Sequence, residues 1–178
     1  MSEQLFESMG SGALLSADRL YRYRLWRYWK EDEPALVFIM LNPSTADEVA
    51  SDPTITRCIL RARRMGFGGI EVLNLFALRS KDPEILYSHP APVGEENDAH
   101  IRGVCVTAME KGGQIILAWG KHGALGGRGD AVRRMLDERM IDTHALVLNK
   151  DGSPKHPLYI PLEQDPIHIS PWARERAA

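Results

Sequence analysis

A chain of 178 residues with 44% hydrophobic and 26% charged residues has the composition of an ordinary globular protein and can bury a substantial core. Its formal net charge of −2 argues against the strongly basic class that holds duplex DNA through many phosphate contacts. Two cysteines, Cys58 and Cys105, without CxxC spacing exclude a zinc or iron–sulfur site built from cysteine alone.

Residues 1–17 are polar, small and irregular, and read as a flexible N-terminal arm or a first short strand. From Tyr21 to Trp29 a period-2 pattern rich in aromatics predicts a strand. After a turn at 31–34, the run 35–41 (ALVFIML) carries no polar alternation, which suits a strand buried on both faces of a parallel sheet. Asn42-Pro43-Ser44-Thr45 ends it, because proline cannot continue a central strand. Asp52-Pro53 then sets an N-cap and a first helical position. Ile55, Cys58, Ile59 and Ala62 recur at helical spacing, and Gly66 stops the helix.

A second buried strand is expected at 70–75 (IEVLNL). The proline-containing stretch 76–93 reads as loop, 95–111 as helix, 114–119 (QIILAW) as the third parallel strand, 120–129 as a glycine-rich loop, 131–140 as helix and 143–149 as the fourth strand. The remainder reads as irregular, with one turn at most over 165–172. Alternating strands and helices predict a three-layer α/β sandwich with a four-stranded, mostly parallel sheet and an added N-terminal strand or hairpin. The expected division is an arm over 1–17, a single α/β domain over 18–162 and a tail over 163–178. No apolar run approaches the ~20 residues of a membrane span, and the N-terminus lacks a basic segment followed by an apolar one. The expectation is a cytoplasmic protein with no membrane partner, no metal and no cofactor. Oligomeric state is not legible.

In an open parallel sheet, ligands bind beyond the C-terminal ends of the strands. The predicted strands deliver Asn42, Pro43 and Ser44, then Asn74 and Phe76, then Trp119, Gly120, Lys121 and His122, and last Asn149 followed by His156. Asparagine offers paired donor and acceptor atoms, matching the edge of a nucleobase, and an aromatic offers a stacking surface. Each residue also has a plain structural role open to it: an Asx turn for Asn42, a satisfied buried amide for Asn74, core packing for Trp119, surface exposure for His122 and His156. Asp52 is either a helix cap or a carboxylate able to act on water, and Asp47 lies nearby in sequence. The loop GKHGALGGRG departs from GxxxxGK[ST] and GxGxxG, although its amides with Lys121 or Arg128 suit a phosphate at a helix start. Arginine outnumbers lysine. Arg22, Arg24 and Arg27, and then Arg57, Arg61, Arg63 and Arg64, suit either phosphate recognition or a salt-bridged helix face.

The segments FIMLNPSTAD, DPT at a helix start, VLNLFALRS, Gly94 with Asn97 and Asp98, and ILAWGKHG together resemble the DUF1643 family, catalogued among bacteria and phages without an activity. A more distant resemblance is to the uracil-DNA glycosylase superfamily, carried by Asn42-Pro43, Asn74, Trp119-Gly120 and His156-Pro157, each at a strand end. That second resemblance implies a water held by Asn42, a base read by Asn74 and a departing base stabilised by His156. Leu158 is the one residue there able to act as a wedge, and the serine-rich continuation of the glycosylase loop is missing. The expected partner is a nucleobase, a nucleotide, or single-stranded or flipped nucleic acid, with N-glycosidic cleavage as the implied reaction. Two alternatives stand beside it: an enzyme acting on a free nucleoside or nucleotide, and a non-catalytic interaction module.

Overall fold

The computed structural model describes residues 10–44 and 52–171. Thr45, Asp47 and the outer parts of the predicted arm and tail lie outside the described residues. One seven-stranded sheet organises the chain. Its strands are β1 (Gly10–Leu15), β2 (Arg22–Tyr28), β3 (Ala35–Met40), β4 (Gly69–Asn74), β5 (Gln114–Leu117), β6 (Thr143–Ala145) and β7 (Ile167–His168), in the order β1-β2-β4-β3-β5-β6-β7. The four central strands β4, β3, β5 and β6 are parallel. β1 and β2 form an antiparallel hairpin that extends the β4 edge, and β7 pairs antiparallel with β6.

The predicted parallel core is therefore present, but the sheet is wider than four strands. Within the stretch read as an arm or a first short strand, Gly10–Leu15 is a paired strand. Within the stretch read as a tail, Ile167–His168 closes the opposite edge. The first agrees with the expected N-terminal strand or hairpin; β7 depends on a tertiary partner and carries little local pattern, which is why periodicity alone misses it.

β3 has no exposed residue, as its unbroken apolar run requires. Leu36, Phe38 and Met40 pack against α1 (Pro53–Arg64) through Ile55, Cys58, Ile59 and Ala62. Val37 and Ile39 share the opposite core with Ile101 and Cys105 of α3 (Asn97–Glu110) and Val132 and Leu136 of α4 (Arg128–Asp137). A helical layer thus covers each face, and each large buried side chain contributes roughly 1.5–3 kcal/mol. Both cysteines lie in these cores as free thiols, and burial pushes the Cys105 thiol up to about 12.

α1 begins as the sequence dictates. Asp52 accepts the Ile55 N–H at 2.9 Å with Pro53 at the first helical position, and Gly66 takes φ +82° just past its end. The stretch 76–93 contains one short helix, α2 (Ile85–Ser88). The glycine-rich stretch is a kinked 3₁₀ segment, Lys121–Gly127, and α4 starts at Arg128 rather than at residue 131. β6 stops at Ala145, because residues 147–155 turn back on themselves: Lys155 donates to the Val147 carbonyl at 2.8 Å and Asn149 to that of Ser153 at 2.8 Å.

Three of the four arginines of α1 hold the chain that follows His156, and Arg63 and Arg64 are exposed, Arg64 in a salt bridge. Arg61, only 1% exposed, donates to the carbonyls of Ile160, Pro161, Leu162 and Gln164. Arg57 donates to Ile160, Arg64 pairs with Asp165, and Arg63 lies over the Trp29 ring. The helix is a clamp on the chain that follows His156. Among the described residues, no helix is long and apolar enough to cross a membrane, and no group of three or more histidines, cysteines or carboxylates is placed to hold a metal ion.

Candidate functional site

From β3 the chain moves through α1 to β4 on one side, and the later crossover through α3 reaches β5 on the other. The C-terminal end of β3 is therefore a topological switch point, where open α/β sheets leave a crevice. A cavity of about 350 Å³ occupies this place.

The loop after β3 supplies its first wall. The Asn42 side-chain amide donates to the carbonyls of Ser80 at 3.0 Å and Pro43 at 3.3 Å. Its Oδ1 is left to meet a ligand or water. The Ser44 hydroxyl donates to Asp52 Oδ2 at 3.2 Å. Asp52 is thus the helix cap and a wall residue at once. Pro43 is buried and does not line the cavity; its carbonyl anchors Ser80 instead.

β4 supplies the floor. Asn74 stands opposite Met40 in register, so its side chain lies on the face covered by α1. It is 2% exposed and lines the cavity, and its Oδ1 is buried with no hydrogen-bond partner. An amide carbonyl buried unpaired costs on the order of 1–3 kcal/mol. The backbone here is fixed from behind. Asn97 donates to the Asn74 carbonyl at 2.9 Å and the Leu75 carbonyl at 3.0 Å, Arg128 donates to Leu75 at 2.8 Å, and Arg128 pairs with Asp98 at 2.5 Å. Asn97 also carries an unpartnered Oδ1, but it does not line the cavity. Phe76 is a core residue, 2% exposed, and lies outside the wall.

After β5, Trp119 borders the cavity while 4% exposed, so it is chiefly a packing residue. A Cβ at Gly123 would overlap its ring, and one at Gly129 would fall 3.1 Å from its Nε1. Two glycines of the GKHGALGGRG loop therefore exist to let the backbone cross the indole, which accounts for a composition that suggested a phosphate loop. Gly120 and Lys121 line the cavity, as does His122, whose Nδ1 meets the Tyr87 hydroxyl at 2.8 Å.

His156 completes the enclosure. Burial holds its imidazole below the ordinary range, against a weaker opposing pull from the Asp52 carboxylate. The ring is therefore neutral near pH 7. Its Nδ1 accepts the Leu158 N–H at 3.4 Å, a long bond that leaves Nε2 as the protonated nitrogen. Asn149 lies elsewhere, closing a turn onto the Ser153 hydroxyl at 2.9 Å.

The structure thus brings together Asn42, Ser44, Asp52, Asn74, Trp119, Gly120, Lys121 and His156, and leaves out Pro43, Phe76 and Asn149. It adds Arg22, Thr54, Ser80, Lys81 and Pro83. Arg22 is 6% exposed and opens β2. Because β2 runs antiparallel to β4, its first residue lies beside the ends of the parallel strands. An inventory restricted to where strands end could not find it. Ser80 and Lys81 are carried in by the bonds of Ser80 to Asn42 and Pro43.

Neither a curated protein nor a solved structure matches the chain. A family model described as "Protein of unknown function (DUF1643)" matches residues 22–158, a span that holds β2 to β6 and every residue of the cavity wall. The chain belongs to the DUF1643 family.

Proposed function

We propose that the crevice binds a nucleobase or nucleotide. The observation that carries this reading is the buried, unpartnered Oδ1 of Asn74 on a cavity floor. A ligand with an N–H donor would relieve its cost, and the same amide's Nδ2 would serve an adjacent acceptor. A donor beside an acceptor is the pattern of a base edge. His156 Nε2–H and Asn42 Oδ1 add one donor and one acceptor along the wall.

The reaction that these groups suit is hydrolysis of an N-glycosidic bond, as the likeness to uracil-DNA glycosylases implies. Its four motif positions, Asn42, Asn74, Trp119-Gly120 and His156, all border the one cavity. Water held by Asn42 would attack the anomeric carbon and lose its proton to Asp52, which keeps unused lone pairs on both oxygens. The C–N bond breaks and its electron pair leaves with the base. A neutral imidazole then donates to the charge developing on the base.

A thermal-shift screen against free bases, nucleosides, nucleotides and short uracil-containing single strands tests the binding. A ligand at a hundredfold excess over its dissociation constant stabilises by ~2.7 kcal/mol, and the shift should vanish in Asn42→Ala and His156→Ala. Chromatography of the mixture for free base tests the chemistry. No shift with any compound would sink the reading and turn attention to the interaction-module alternative.

A further inference from the structure

The cavity wall is electrostatically lopsided. Arg22, Lys81 and Lys121 line it, whereas among the described residues Asp52 is the sole carboxylate to do so. Lys81 and Lys121 are exposed at the rim, and they come from the loops after β4 and β5 respectively. A base needs none of this positive charge.

Several arginines outside the wall are engaged elsewhere. Arg24 is paired with Glu71, Arg64 with Asp165 and Arg128 with Asp98. Arg57 and Arg61 are spent on main-chain carbonyls. A protein that tracks a nucleic-acid strand needs a run of cations along its path, and a net charge of −2 does not favour one, whereas two exposed lysines at one rim suit a single phosphate. The two loops that carry the lysines are also joined to each other, through the 2.8 Å bond between the Tyr87 hydroxyl and His122 Nδ1. A volume of about 350 Å³ lies near the lower end for small-molecule sites.

From this juxtaposition we infer that the ligand is a free mononucleotide. Its base lies against Asn74, and its phosphate is held at the rim by Lys81 and Lys121. The inference rests on the nucleobase reading above and narrows it: the phosphate is terminal and belongs to a small molecule.

Isothermal titration calorimetry of the full chain distinguishes the two. The probes are the common ribo- and deoxyribonucleosides, their 5′-monophosphates, and a mixed-sequence ten-nucleotide single strand, each at low and at moderate salt. At least one monophosphate should bind tenfold or more tighter than its own nucleoside. Lys81→Ala combined with Lys121→Ala should erase that difference; both residues are exposed, so circular dichroism should show the fold intact. The ten-nucleotide strand should bind no tighter than the monophosphate.

Equal affinity for nucleoside and monophosphate overturns the inference and spares the nucleobase reading. So does a preference that survives the double substitution, or a strand that binds best with a steep salt dependence. Failure of every nucleoside, nucleotide and strand to bind removes both.

Discussion

Asn97 donates its side-chain N–H to the main-chain carbonyl of Asn74 at 2.9 Å, so the last residue of β4 is tethered by its backbone while its own side chain lies in the crevice. The second bond of the same amide, to Leu75, gives it two carbonyls to satisfy. Asn97→Ala should cost about 2–3 kcal/mol in chemical denaturation, because two buried acceptors lose a donor. Asn97→Asp should cost more, since a carboxylate would face those carbonyls with no proton to give.

Asn74 should behave in the opposite way. Its Oδ1 has no partner to lose, so Asn74→Ala should change unfolding free energy by less than about 1 kcal/mol while ligand affinity falls at least tenfold. A collapse of thermal stability with binding retained would show that Asn74 is structural and that the base-reading proposal is wrong.

Arg61 is the strongest single tether between α1 and the segment after His156. Lysine presents a point charge and cannot span four carbonyls as a guanidinium does, so Arg61→Lys should destabilise by about 3 kcal/mol. Hydrogen exchange should rise first in the amides of residues 156–165. Unchanged protection there would mean that the segment is held by something other than the clamp.

Two histidines set the expected response to acid. Burial holds His144 below its ordinary 6.5, with the His168 ring stacked at 5.0 Å adding to the effect, and burial likewise lowers His156. The unfolded chain then binds protons that the folded chain refuses. Their contribution to stability is present above about pH 6.5 and is lost as pH falls through the lowered values. Melting temperature should therefore drop between pH 7 and pH 5, and His144→Gln should flatten part of that slope. A profile that rises toward pH 5 would contradict this.

Gly123 tests the account of the glycine-rich loop. A methyl group there meets the Trp119 ring, so Gly123→Ala should destabilise by about 1–3 kcal/mol and shift tryptophan emission. Gly103, on α3 with open space around its Cβ position, is the control: Gly103→Ala should be neutral or stabilising by up to ~1 kcal/mol.

What the sequence discloses divides along physical lines. The apolar run 35–41 and the Asp52-Pro53 cap declare themselves locally, because a fully buried strand and a helix start each impose their own chemistry on adjacent residues. Asn42, Asn74, Trp119 and His156 are legible as neighbours because each follows a parallel strand of the same sheet. Arg22 is not, because its place depends on the antiparallel direction of β2. The two-residue β7 is not, because its only pattern is its partner. The roles of Arg57 and Arg61 on α1 are not, for a third reason. A guanidinium satisfied by distant carbonyls looks, in sequence, the same as one awaiting a phosphate.

The clamp made by Arg61 has one more consequence. It recognises the path of residues 160–164 through main-chain oxygens alone, and every residue type carries such an oxygen. Ile160 is itself buried in the core against α1, but the other side chains of that stretch are thereby released from the task of holding the histidine loop. They can be rewritten, lengthened with new chemistry or fitted to a different neighbour, and the imidazole at the mouth of the crevice should keep its station so long as the arginine and the course of the backbone endure.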